Sequence, residues 1–178
     1  MNRFISLTLM GFTTLPALAD TAPYAGQDER AIKALAPERI EGLRVGAGLG
    51  YAKAAELNGW PGPLHALELA DTLALSVDQR TEITAIRTAM LAKAKPLGES
   101  LIAAEAELDA LFTQGALDAA MVAEATAQIG AIEAELRAVH LAAHIEMKPL
   151  LTRHQQMIYA QRRGYGGDHN GHGGHGDH

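Results

Sequence analysis

Four histidines close this chain at a strict interval of three: His169, His172, His175 and His178, set in the run GYGGDHNGHGGHGDH. Imidazole is a borderline ligand for Zn, Ni and Cu, and the interspersed carboxylates of Asp168 and Asp177 can complete a coordination shell. Glycine lets such a segment wrap its ligands around an ion without steric cost. Residues 165–178 can bury no core, so a disordered metal-binding tail is expected. A second pair, His140 and His144, lies four residues apart. On a helix these share a face and could chelate one ion, with Glu133 or Glu146 as a further donor. The alternative is two partly exposed helix histidines packing against a neighbour. No cofactor is required by the pattern beyond possible Zn, Ni or Cu ions. The methionines Met90, Met121, Met147 and Met157 suit core filling, or an adaptable or Cu(I)-binding surface.

Two further constellations bear on chemistry by what they exclude. The run Gly46-Ala47-Gly48-Leu49-Gly50 has no preceding strand and no following GK[ST], so it is not a phosphate loop. Beyond residue 19 the only serines are Ser76 and Ser100, and no nucleophile elbow or HExxH occurs. An enzyme is therefore not expected.

The ends place these residues in a compartment. Residues 1–19 carry one cation, Arg3, then an apolar run, then Ala17-Leu18-Ala19. This is the pattern of a signal peptide cleaved between Ala19 and Asp20, with a periplasmic location and no stable membrane insertion expected. The chain has no cysteine, which removes thiolate ligands and disulfides from consideration. Loss of Arg3 with the leader moves the net charge from −6 to −7, a poor balance for nucleic-acid binding. Only 4% of residues are aromatic, and much of the 48% apolar content is alanine, which favours long slim helices over a thick core.

The elements that must position the histidines follow from periodicity. Residues 20–62 form an irregular arm with short helical candidates at 28–35 and at Pro37–Val45, the latter opening on a proline suited to a first helical turn. A short helix is expected over 65–73. A long one runs from 77 to about 113 on the seam Ile83, Ile86, Met90, Ala94, Leu97, Leu101, Ala104, Leu108 and Leu111, with a kink at Pro96. Gln114-Gly115 ends it, and a second long helix starts after Asp118 and runs to 150. Its seam is Val122, Ala125, Ile129, Ile132, Leu136, Val139, Ala143, Met147 and Leu150. Each is on the order of 50 Å long, and the short connection makes them an antiparallel hairpin. A last helix covers 153–163. The expected fold is all-α: a helical domain over 63–164 built on this hairpin with short flanking helices. Two long amphipathic helices leave apolar surface unburied, which favours a homodimer.

Leu75-Ser76-Val77-Asp78-Gln79 and Leu151-Thr152-Arg153-His154-Gln155 each contain a capping box. The hydroxyl of Ser76 or Thr152 accepts from the amide three residues on, and Gln79 or Gln155 returns to the capping amide. Two leucine-led boxes flanking one long hairpin resemble the LTXXQ family of periplasmic proteins, the Spy/CpxP chaperones and the ZraP-like and CnrX-like metal-responsive proteins. The resemblance runs from about residue 28 to 165 and includes AKAAELNGWPGP at residues 52–63; Ser76 stands where the family usually has threonine. It implies a curved helical homodimer that cradles unfolded or partly folded periplasmic polypeptides without ATP in envelope or metal stress. The other branch implies a heavy-metal buffer or sensor, with an envelope sensor protein as a possible partner.

Overall fold

The computed structural model describes residues 22–115 and 117–165. The expected leader and the Gly/His tail, with Asp168, His169, His172, His175, Asp177 and His178, lie outside them. Within them are six α-helices: α1 (Pro37–Val45), α2 (Lys53–Glu56), α3 (Pro63–Glu68), α4 (Val77–Gln114), α5 (Ala119–Met147) and α6 (Arg153–Arg162). No strand occurs among the described residues. No helix there is long and apolar enough to cross a membrane.

The long helices start and stop where local chemistry dictates. Ser76 caps α4 with a complete box: its hydroxyl accepts from the Gln79 amide at 3.1 Å and Gln79 Oε1 accepts from the Ser76 amide at 3.0 Å. Thr152 and Gln155 repeat this at α6, with 3.2 and 2.9 Å. Asp118 caps α5 by accepting from Ala120 and Met121. Gly115, at φ 69°, ends α4 in the left-handed region that glycine enters freely. Pro96 is accommodated inside α4.

The two boxes also meet each other. Gln79 Nε2 donates to the Leu150 carbonyl at 2.7 Å and to Gln155 Oε1 at 2.9 Å. Gln155 Nε2 donates to the Leu73 carbonyl at 3.1 Å. Each glutamine therefore caps its own helix with its oxygen and, with its nitrogen, binds the carbonyl of the chain that leads into the other box. Gln155 is buried.

These carbonyls explain two differences from the sequence expectation. The helix expected over 65–73 ends at Glu68, and residues 69–74 form turns that present the Leu73 carbonyl to Gln155. The helix expected to reach 150 ends at Met147 and continues as a 3-10 turn over Lys148–Leu150, because Pro149 has no amide to donate and Leu150 serves Gln79. The helix expected over 28–35 is absent; the segment is a series of turns. The Lys33 amide donates to the Asp109 carboxylate of α4 instead of to a helical carbonyl, and Pro37 holds Ala36 extended. Eight residues are also too few to hold a helix without tertiary support. The four-residue α2 has no counterpart in the sequence expectation.

Two apolar clusters hold the body together. Ala66, Ala70, Leu73 and Leu75 pack with Ile83, Met147, Leu151 and Tyr159 around the two boxes. Ile32, Leu35, Leu43 and Tyr51 from the arm pack with Ala94, Leu101 and Leu136. The expected seams are the buried or half-buried sides of α4 and α5, which pack along each other. The arm supplies most of the second cluster, and an ion pair from Arg39 of α1 to Glu133 of α5, at 2.7 Å, ties it down.

Candidate functional site

Leu136, His140, Ala143 and Met147 fall at steps of three and four on α5, with His144 four residues beyond His140, so both histidines lie on its core face. His140 is 3% exposed and His144 8%. The partly exposed pair envisaged from sequence is thus buried, because residues 45–63 of the arm cover this stretch of α5. The ring of His140 stacks on Tyr51 with centroids 5.6 Å apart and an interplanar angle of 13°. Its Nε2 is buried and has no hydrogen-bond partner. Burial holds the His140 imidazole below its ordinary pKa, and the neighbouring His144 adds to this, so the neutral ring is favoured.

His144 is held from its other side. Its Nδ1 lies 2.7 Å from the Trp60 carbonyl oxygen. A carbonyl can only accept, so Nδ1 donates the proton and Nε2 of the neutral ring keeps the lone pair. Gly62 passes so close that a Cβ there would sit 2.9 Å from His144 Nε2. Glu56 Oε2 is 3.7 Å from Nδ1. Its other oxygen accepts from Tyr159 Oη at 2.7 Å and Arg163 Nε at 3.2 Å, while Tyr159 Oη accepts from the Gly62 amide at 3.1 Å. This network joins α2, the Trp60–Gly62 segment and α6 behind His144. Lys148 Nζ, 4.0 Å above the Trp60 ring, adds a cation–π contact.

In front of the two histidines is a cavity of about 280 Å³. Val45–Gly48 and the first residues of α3 form one wall. Arg87, Met90 and Leu91 of α4 form the other, with His140 and His144 between. A shallower groove, about 460 Å³, lies against His144 and Glu56 and reaches Arg163 and Tyr165.

Neither carboxylate proposed from sequence joins the pair: Glu133 is engaged by Arg39, and Glu146 is exposed. His65 accompanies Glu68, at 2.8 Å, and His154 is exposed on α6. Among the described residues no three His, Asp or Glu side chains are grouped so as to hold a metal ion. Glu56, Tyr51 and Trp60 were missed by sequence reasoning. Only their place in the Gly/Pro-rich arm, opposite two histidines of one helical face, could have drawn attention to them. Comparison with protein-family models, with curated proteins and with solved structures finds no match for this chain.

The Tyr51 hydroxyl that flanks this site is pushed up to about 12, chiefly by burial and then by the Glu133 carboxylate, with Arg39 opposing. A folded-state value above the ordinary ~10 means that the contribution is fully present below pH ~10 and is lost as pH rises toward ~12. Chemical denaturation across that window should show a loss of about 2 kcal/mol from Tyr51 alone. In Tyr51→Phe this part of the slope should disappear; an unchanged slope would assign it elsewhere, first to Tyr159, which burial also raises.

Proposed function

We propose that the chain is a periplasmic, ATP-independent chaperone of the Spy/CpxP type, acting as a homodimer in envelope or metal stress. In this reading α4 and α5 are the antiparallel hairpin of a curved dimer. The observation that carries it is the uncovered distal part of these helices. Among the described residues between Ala104 and Leu136 none is buried, and Phe112 is 61% exposed. A groove of about 460 Å³ there is lined by Ala110, Leu111, Met121 and Ala125, with Glu107, Gln114, Glu124 and Gln128 also on its walls. Apolar surface rimmed by charge suits reversible capture of unfolded segments, since weak contacts permit release without fuel.

The test is suppression of aggregation of a chemically unfolded model client without nucleotide, at near-stoichiometric ratios. Suppression should persist when the four tail histidines are replaced by asparagine. It should fall several-fold in Phe112→Glu with Met121→Glu, provided helicity and the sedimenting mass are unchanged. Aggregation untouched by the wild-type chain would sink this reading.

A second reading, a periplasmic Zn, Ni or Cu buffer or sensor of the ZraP/CnrX type, is favoured by the unpartnered His140 nitrogen beside a cavity. The Gly/His tail, with Asp168 and Asp177, would then be the main reservoir. Zinc titration of the wild-type and tail-substituted chains tests it: binding should be lost with the tail histidines.

A further inference from the structure

A buried nitrogen without a partner requires an explanation, because such groups are costly and rare. His140 Nε2 is one. Four residues on, His144 shows the arrangement typical of a metal-bound histidine. One ring nitrogen is fixed on a backbone carbonyl, with a carboxylate just behind, and the other, beside Gly62, keeps its lone pair. Met90, on the facing helix, lines the same cavity as both rings. These three residues offer two imidazoles and one thioether; His65, which also lines the cavity, is paired with Glu68 at 2.8 Å. Among the described residues no carboxylate lines this cavity, and Glu56 meets His144 on its Nδ1 side, at 3.7 Å.

That donor set selects the ion. Zinc in a closed protein site takes four ligands from His, Cys, Asp or Glu, and no such group is available among the described residues. A soft monovalent ion accepts fewer donors and prefers thioether and imidazole. We propose that His140, His144 and Met90 form a Cu(I) site between α4 and α5, roofed by the arm. The proposal deepens the metal reading above but places this ion in the body of the protein, apart from the tail. Because Trp60 and Glu56 of the arm hold His144, an ion there would also fasten the arm to α5.

The test uses the full-length chain with His169, His172, His175 and His178 replaced by asparagine, titrated with Cu(I) against a chromophoric Cu(I) chelator under reducing conditions. One Cu(I) per chain should be retained, and its X-ray absorption spectrum should show a sulfur neighbour. Met90→Leu, which conserves volume, should weaken binding about tenfold to a hundredfold and remove the sulfur signal, with helicity unchanged. His140→Asn with His144→Gln should abolish retention. The proposal is overturned if the tail-substituted chain retains no Cu(I), if its spectrum lacks sulfur, or if Met90→Leu binds as the parent does. Zinc lost with the tail histidines reads the buffering function separately, so either idea can fail without the other.

Discussion

Gln155→Ala is expected to lower the stability of the folded chain by about 3–4 kcal/mol. The side chain is buried, and its removal strands several groups together: the Leu73 carbonyl, the Thr152 amide and half of the Gln79 amide. Each buried polar group left unpaired costs about 1–3 kcal/mol, and the capping contribution at α6 is lost as well, about 1 kcal/mol. Gln79→Ala should cost less, because Gln79 is only half-buried. The double variant should lose less than the sum of the two, with a coupling of about 1 kcal/mol or more, since the two amides are partners. Urea unfolding of the four proteins measures this. Additive losses would show that the boxes act as two independent caps, and the link between them would then carry no energy. Gln155→Glu is the sharper control. It keeps the oxygen for the Thr152 amide but turns an acceptor toward the Leu73 carbonyl, so it should rescue little.

Gly98→Ala should also destabilise, by about 2–3 kcal/mol, although alanine is the better helix former by about 1 kcal/mol. A Cβ at Gly98 would collide with the Leu43 carbonyl oxygen and lie 2.8 Å from its carbon. The obstacle is backbone, held by α1, and cannot swing aside as a side-chain tip could. α1 would have to lift from α4, opening the cluster of Leu43, Tyr51 and Leu101. Gly130 is the internal comparison. It lies inside α5, where an added Cβ would meet nothing within 4 Å, so Gly130→Ala should stabilise by up to about 1 kcal/mol. Opposite signs for one substitution on two long helices are the expected result. A stabilising Gly98→Ala would mean that α1 is not seated on α4 in solution.

The long helices were legible in the sequence because their information is local and repeated. The steps of three and four through Ile83, Ala94, Leu101 and Leu136 mark the buried side, and Ser76, Asp118 and Thr152 mark the starts. Pro37 likewise announces α1. The arm was less legible, because Ile32 and Leu35 reach the core from turns, where no periodicity betrays them. The histidine pair shows the same limit. Spacing put His140 and His144 on one face, but their burial depends on Tyr51 and Trp60, far earlier in the chain. Nothing local to α5 specifies a cover contributed from that distance. The end-to-end meeting of Gln79 with Gln155 was similarly out of reach: each box is complete as a cap, so its sequence reveals only the oxygen's task and not the nitrogen's.

The unburied stretch of α4 and α5 beyond Ala104 and before Leu136 has a consequence for how such a chain can change over generations. The buried residues of both apolar clusters and every contact to the histidines lie toward the other end, and past Ala106 and before Ile129 no described apolar residue packs against either cluster. Inserting or deleting about seven residues in each helix would restore its facing after two turns while altering reach by roughly 10 Å. The tip is therefore a ruler whose length can be reset without renegotiating the interior. If the proposed chaperone reading holds, selection on the size of the client held there can act independently of selection on the fold.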